Sequence, residues 1–520
     1  MIVGNVSAHA APRLLVVLVV DQMRADYVDW YGKNWRAGLA RLYKRGADFR
    51  NAAYPYLNTV TCAGHATVST GAYPKTHGVV LNGWYDRASG GVPSCTDDAE
   101  QPLISYGSPM SGGDSAKQLQ VPTLADAMRA QLGASRVVTM SLKARSAIML
   151  AGHASTATTW LASGGFTTSK AFSAGPVDAV LQAFKRFPVG LSDLPAWSTL
   201  LPAKKYMHVD EALEEAPPHG WSRRFPHPLQ ASSEAQTMSN WARSPLADEY
   251  VAQVALEQVK LLALGQRQSV DYLGLSFSVL DIVGHAFGPR SHEVQDVLLR
   301  LDLTLGRLLS GLDRLVGRNN YVVALTSDHG VAPFPEQMRA MGLPAGRVPM
   351  DRIALTLEDA ITKELGGRKH VAQVIYTDVY LSPGVYDKLV AKPAAMERVK
   401  AALFTLPGIA KVFHAQQLRE VPAQDGPQRA AALSYFPGRS GDLILVPAPH
   451  WMTVADGTTH GTSNEYDQRV PLILAGPGIQ AKRHQRRVSP ADIAPTLGQM
   501  VGVNLPTADG RPLVEALGRR

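Results

Sequence analysis

Residues 13–21 read Arg-Leu-Leu-Val-Val-Leu-Val-Val-Asp. Apolar residues follow one another without alternation, so neither face of a strand built from them can meet water. That pattern belongs to a strand in a parallel sheet covered on both sides by helices. The run is far shorter than the roughly 18 residues a membrane helix needs, and it stops on an ionisable Asp21. Strand-like runs recur at 136–140, 271–280, 321–325, 443–446 and 471–474. Helical periodicity lies between them. It is clearest at 294–315, where Leu298, Leu301, Leu305, Leu308, Leu309 and Leu312 form one stripe. Weaker helical patterns lie at 123–131 and 355–365. Strands alternating with helices predict an α/β fold, a mostly parallel central sheet flanked by helices.

Two stretches interrupt the alternation, 155–265, rich in Pro, Trp and Ser, and 345–440. Both read as inserted cap regions on a single catalytic domain spanning 13–520. The chain has 520 residues, 45% apolar, with a formal charge of +8. The positive charge is dispersed, without a run of five Lys or Arg and without aromatic interleaving, so a specific nucleic-acid partner is not expected. No membrane span is expected. Cys62 and Cys95 are the two cysteines. They cannot form a Cys-type zinc site, and whether they join as a disulfide is left open. Residues 1–12 end in Ala-His-Ala-Ala-Pro, like the cleavage end of a secretory signal, without the basic and apolar parts that normally precede it. They read as the remnant of such a signal, and the expected location is periplasmic or secreted.

The chemistry-bearing residues fall at the ends of these elements. Asp21 follows its strand, as does Asp281, which shares Leu-Asp-Ile-Val-Gly-His with His285. Asp328 and His329 follow the run at 321–325 in Thr-Ser-Asp-His-Gly, and His460 lies in Thr-Thr-His-Gly-Thr. Strand ends on one edge of an open sheet converge on a common crevice. Three Asp and three His suffice for two adjacent three-ligand metal sites with open positions. Asp281 and His285, four apart, can share one ion from one helical turn. Thr61, in Asn-Thr-Val-Thr-Cys-Ala-Gly-His-Ala, stands where a helix can begin, and a helix N-terminus favours phosphate. Asn82 is read as a donor to a phosphate oxygen. Lys143 and Arg145, two apart on a segment read as extended, would face the same way and supply a compact charge and a planar fork.

These motifs, with Val-Asp-Gln-Met-Arg-Ala-Asp-Tyr at 20–27 and Thr-Gly-Ala-Tyr-Pro-Lys-Thr-His-Gly-Val at 70–79, resemble the alkaline phosphatase superfamily. Within it they are most similar to monomeric bacterial alkaline phosphatases with a threonine nucleophile, built on the nucleotide pyrophosphatase/phosphodiesterase-like fold. The resemblance implies a monomer with two zinc ions, one held by Asp281, His285 and His460, the other by Asp21, Asp328 and His329. It implies Thr61 as the nucleophile that becomes phosphothreonine, with Asn82, Lys143 and Arg145 on the non-bridging oxygens of a small phosphate monoester. Asp/His donors also suit manganese or cobalt. The alternative on the same fold is a phosphodiesterase or nucleotide pyrophosphatase, against which the Lys143–Arg145 pair argues, since related diesterases lack it. Sulfatase chemistry is disfavoured because Cys62 is not in a Cys-x-Pro-x-Arg setting. A non-catalytic metal- or phosphate-binding protein is the remaining alternative.

Overall fold

The computed structural model describes residues 11–163 and 165–518, so all but the last two residues of the signal-like segment lie outside it. Leu14–Val20 runs through the centre of an eleven-stranded sheet, flanked in parallel by Asp271–Phe277 and Tyr321–Thr326. Val137–Ser141 and Ala157–Ala162 extend the parallel run. All seven residues of Leu14–Val20 are buried. Leu14, Val16, Leu18 and Val20 pack with the leucine stripe of the His292–Leu312 helix, while Leu15, Val17 and Val19 pack on the opposite face against Ile493, Leu497 and Met128. Each such side chain contributes about 1.5–3 kcal/mol by leaving water.

The flanks differ from the expected parallel order. Leu472–Ala475 pairs antiparallel with both Tyr321–Thr326 and Ala47–Ala52. At the other side Gly165–Ser169, Asp97–Ser105 and Gly113–Asp114 continue antiparallel. Short loops can join only antiparallel neighbours, and Ala157–Ala162 turns directly into Gly165–Ser169. The expected insertion at 155–265 therefore opens with two strands of the main sheet. It closes with the Pro245–Leu261 helix, which packs into the main core through Val251, Val254 and Val259.

The segment at 345–440 contributes to a separate antiparallel sheet, in the order Val371–Ile375, Asp378–Leu381, Leu443–Pro447, Ile409–His414. That sheet has its own core with the helices Met350–Leu365 and Pro393–Leu403. The run at 443–446 belongs to this sheet and not to the central one. The run at 271–280 is also shorter as a strand than its apolar content suggests. It ends at Phe277, and a helix, Val279–Phe287, begins at once. The buried Asp248 carboxylate accepts from Ser278 and Val279 N–H groups (3.0 and 3.3 Å), satisfying the start of that helix from outside.

Where residues 197–229 wrap over the His292–Leu312 helix, Glu215 and Glu293 are buried, 3% and 0% exposed. Burial, and for Glu215 the neighbouring Glu293 carboxyl, pushes both up to about 9. His227 Nε2 lies 2.9 Å from Glu293 Oε1, and burial keeps that imidazole neutral, down at about 4. The folded state thus holds protons that the unfolded chain releases near pH 4.5. Stability should fall as pH rises from there through 9, and level off above. Thermal melts across pH 5–10 are expected to show a shallower decline in a Glu215→Gln/Glu293→Gln variant than in the parent. Parallel declines would mean the two carboxyls are ionised in the fold.

Candidate active site

Asp21, Asp281, Asp328 and His329 sit where strands of the central sheet give way to a loop or helix on one edge, while His460 comes from the loop after Trp451–Met452. Asp21 ends Leu14–Val20, and its neighbour Gln22 carries φ +69°, an unusual backbone for a non-glycine residue. That turn lets Gln22 reach both other carboxylates. Its N–H donates to Asp328 Oδ1 (3.1 Å) and its Nε2 to Asp281 Oδ1 (2.7 Å). Asp281 lies in the first turn of Val279–Phe287, one residue beyond the end expected for its strand, and His285 follows on the same face. A methyl at Gly284 would sit 1.9 Å from Gln22 Oε1, so any side chain there would displace the Gln22 amide.

The three imidazoles are oriented alike. His285 Nδ1 bonds Thr458 O (2.8 Å), His329 Nδ1 bonds Gly330 O (2.9 Å) and His460 Nδ1 bonds Thr59 O (2.8 Å). A carbonyl can only accept, so each Nδ1 carries a proton and each Nε2 faces the carboxylates. Burial lowers His285, but the Asp281 carboxylate outweighs it and holds that imidazole above the ordinary histidine value. His285 Nε2 is 3.2 Å and His460 Nε2 3.7 Å from Asp281 Oδ1. His329 Nε2 is 3.5 Å from Asp21 Oδ1 and 3.3 Å from Asp328 Oδ2. Ligand bonds of roughly 2.0–2.2 Å in a tetrahedral shell separate donor atoms by about 3.3–3.6 Å. The spacing therefore suits one ion shared by each group.

Asp281, His285 and His460, the set that the resemblance implies for one ion, have donor atoms within 4.8 Å of one another. Asp21 and His329 form the other set with Asp281, while Asp328 joins through its contact with His329, so Asp281 stands between the two groups. Asp21 Oδ1 is buried without a hydrogen-bond donor, and Asp328 Oδ2 faces only the imidazoles of His65 and His329, at 3.2 and 3.3 Å. Unpartnered buried carboxylate oxygens are costly unless a cation meets them. Burial and the charges of Asp281 and Asp328 push Asp21 well above the usual carboxylate range. Burial holds His329 and His460 below the ordinary histidine value, as neutral ligands require. The residues fit divalent metal ions.

Thr61 opens the Thr61–Thr70 helix, buried throughout, and its Oγ1 lies 3.4 Å from His329 Nε2. A side chain at Gly64 would come within 2.2 Å of Asp328 O, so this glycine lets the helix approach the ligands. Cys62 N–H donates to Asn82 Oδ1 (2.8 Å), which leaves the Asn82 amide N–H groups as the free donors. Cys62 and Cys95 form a disulfide, and Cys95 N–H donates to Asn82 O (2.9 Å), so the Asn82 loop is fixed to the start of the helix from both ends.

Lys143 and Arg145 are not on an extended segment. Lys143 precedes and Arg145 lies within the Ala144–Ala151 helix. Both border one cleft with Asp281 and His285. Lys143 Nζ pairs with Asp21 Oδ2 (2.6 Å) and with Asp281 Oδ2. Burial works against its charge, but these two carboxylates outweigh it and hold it above the ordinary lysine value. Arg145 has no carboxylate partner among the described residues, and its Nε is buried without an acceptor.

Two residues without a role in the sequence reading prove central. Gln22 orients two carboxylates. His65 bonds Thr61 O (2.9 Å) and Ser276 Oγ (2.8 Å) and lies 3.2 Å from Asp328 Oδ2. The available signal for His65 was its position four residues after Thr61, on the same helix face.

The chain is 30% identical over 539 residues to alkaline phosphatase PafA of Elizabethkingia meningoseptica, covering 99% of this chain and 96% of that protein. It is 28% identical to alkaline phosphatase PhoV of Synechococcus elongatus, covering 98% and 93%. The crystal structure of PafA superposes with a TM-score of 0.91 at 28% identity, covering 98% of this chain and 100% of that one. The model of the type I phosphodiesterase / nucleotide pyrophosphatase family matches residues 15–470, and this chain belongs to that family.

Proposed function

We propose that this protein is an alkaline phosphatase that hydrolyses small phosphate monoesters through a phosphothreonine at Thr61, with two zinc ions held by Asp281, His285 and His460 and by Asp21, Asp328 and His329. The observation that carries the reading is the Thr61 hydroxyl at a helix N-terminus, 3.4 Å from the inward nitrogen of His329 and inside the carboxylate–imidazole cluster. The full-length relatives named alkaline phosphatases support the reaction class. A PafA structure altered at a threonine, an asparagine, a lysine and an arginine, in that chain order, supports the choice of Thr61, Asn82, Lys143 and Arg145.

Bound ions of this kind lower the pKa of a nearby hydroxyl and offset charge developing on phosphoryl oxygens. The chain's own residues do the rest. Thr61 Oγ1 attacks phosphorus, the P–O bond to the alcohol breaks, and the alcohol oxygen leaves in line and takes up a proton. Water then attacks the phosphothreonine and releases phosphate and the Thr61 hydroxyl. Asn82 donates its amide N–H groups to one phosphoryl oxygen. Arg145 offers a planar fork to the others. Lys143, on a flexible stem and paired with Asp21 and Asp281, would be free to turn to phosphate if bound metal ions offset those carboxylates. A monoester dianion carries one more charge than a diester, and two cations at a desolvated site favour it.

Hydrolysis of p-nitrophenyl phosphate is expected to exceed that of bis-p-nitrophenyl phosphate by orders of magnitude in kcat/KM. Lys143→Ala and Arg145→Ala should each narrow that ratio by at least about tenfold, since a charge-assisted contact is worth about 1.5–3 kcal/mol. Equal losses on both substrates would assign the pair to structure and favour the phosphodiesterase alternative. The Cys62–Cys95 disulfide supports an oxidising location, periplasmic or secreted. Among the described residues no helix is long and apolar enough to cross a membrane.

A further inference from the structure

A cleft of about 960 Å³ borders the ligand cluster through Lys143, Arg145, Asp281 and His285. Much of the rest of its lining is apolar. Ile282 and Ala286 each follow a metal ligand on the Val279–Phe287 helix. Ile375 and Tyr376 come from the hairpin between Val371–Ile375 and Asp378–Leu381, and Val454 from the loop after Trp451–Met452. All five are half-buried, so part of each faces open space.

The hairpin is held in place from the catalytic side. Thr377 Oγ1 donates to Asn58 Oδ1 (2.8 Å), and Asn58 Nδ2 donates to Asp378 Oδ2 (3.2 Å), three residues before Thr61. Tyr376 has φ +52°, a left-handed backbone that bulky residues rarely adopt and that gathers at functional sites. Its ring lies by Gly461, next to His460, where an added methyl would be 3.7 Å from Tyr376 Cδ1.

We infer that this apolar wall is the leaving-group subsite, and that the substrates are phosphate monoesters of apolar alcohols and phenols. The inference rests on the monoesterase reading above and adds the substrate class. A monoester has one organic group, and it must lie beyond the phosphoryl group from Thr61 in an in-line attack. The cleft that borders Lys143, Arg145 and both ligands of the Asp281 helix is the space adjoining that position. A sugar or glycerol group would meet mostly hydrocarbon there, whereas an alkyl or aryl group would exchange water for it. The second sheet thereby acquires a role, since Ile375 and Tyr376 reach the cleft from it.

The test is a series of n-alkyl phosphates from ethyl to hexyl, whose leaving alkoxides are nearly equally basic, so that kcat/KM reports contact. Burial of a methylene is worth about 0.8 kcal/mol, or about fourfold. Partial burial should give at least about twofold per carbon, and about 15-fold across the series. Competition by hexylphosphonate should exceed that by ethylphosphonate to the same extent, without any turnover. Ile375→Asp, with its melting temperature compared to the parent's, should flatten both trends. A flat series in the parent protein, with p-nitrophenyl phosphate hydrolysed normally, would overturn the subsite and leave the monoesterase reading standing. No hydrolysis of any monoester by metal-loaded protein would overturn both.

Discussion

Thr61→Ala is expected to lower monoester turnover by at least about 10³-fold, because loss of a covalent nucleophile removes the reaction path and not merely a contact. The substitution removes one hydroxyl and one methyl from a fully buried helix start. The packing of Cys62, Ala63 and Ala66 beneath it stays. The other interactions of that turn use main-chain atoms. Thr61 O accepts from His65 Nδ1, and Cys62 N–H donates to Asn82 Oδ1. The variant should therefore fold, bind metal and bind phosphate while failing to turn over. Thr61→Ser keeps the oxygen and should recover most of the rate. Steady-state kinetics with metal content measured on the same samples decides the matter. Turnover of Thr61→Ala within tenfold of the parent would transfer the nucleophile to water and leave Thr61 as a helix start.

How far the site could be read in advance depended on distance along the chain. Asp21 directly follows an apolar strand and Asp328 and His329 come within three residues of one, and a strand buried on both faces announces its own end. Asp281 was less visible because Val279 and Leu280 continue the apolar run while the backbone has already turned helical. What starts that helix is Asp248, some thirty residues away and on another helix. Lys143 and Arg145 were placed on an extended segment because the strand before them is short, and the turn into Ala144–Ala151 leaves no pattern at that scale. Gln22 and His65 act by touching residues hundreds of positions away, and no local periodicity encodes such contacts. The antiparallel flanks of the sheet escaped for the same reason. A strand of four residues such as Leu472–Ala475 carries no mark of its direction, which its partners Tyr321–Thr326 and Ala47–Ala52 impose.

Asp281→Ala is expected to cost at least as much activity as Thr61→Ala, and for a different reason. Its carboxylate stands between both donor groups, with Oδ1 facing His285 and His460 and Oδ2 facing Lys143. On the proposed two-ion reading, one ion would lose its only carboxylate ligand, and the other a neighbouring charge that helps keep it. Asp328, by contrast, meets only His329 among the three histidine ligands. Metal content measured by mass spectrometry should therefore fall from about two ions per chain to near zero in Asp281→Ala, and to about one in Asp328→Ala. Chelation of the parent protein should reproduce the activity loss, and added zinc should reverse it for the parent but not for Asp281→Ala. The loss should not be one of folding. Asp281 is buried beside Gln22 Nε2 and Lys143 Nζ, and Lys143 keeps Asp21 as a partner when Asp281 is gone. Retention of two ions by Asp281→Ala would mean that Asp21, Asp328 and the three histidines suffice. Its carboxylate would then serve to hold Lys143, a role that Asp281→Asn would expose through a change in monoester preference without a change in metal content.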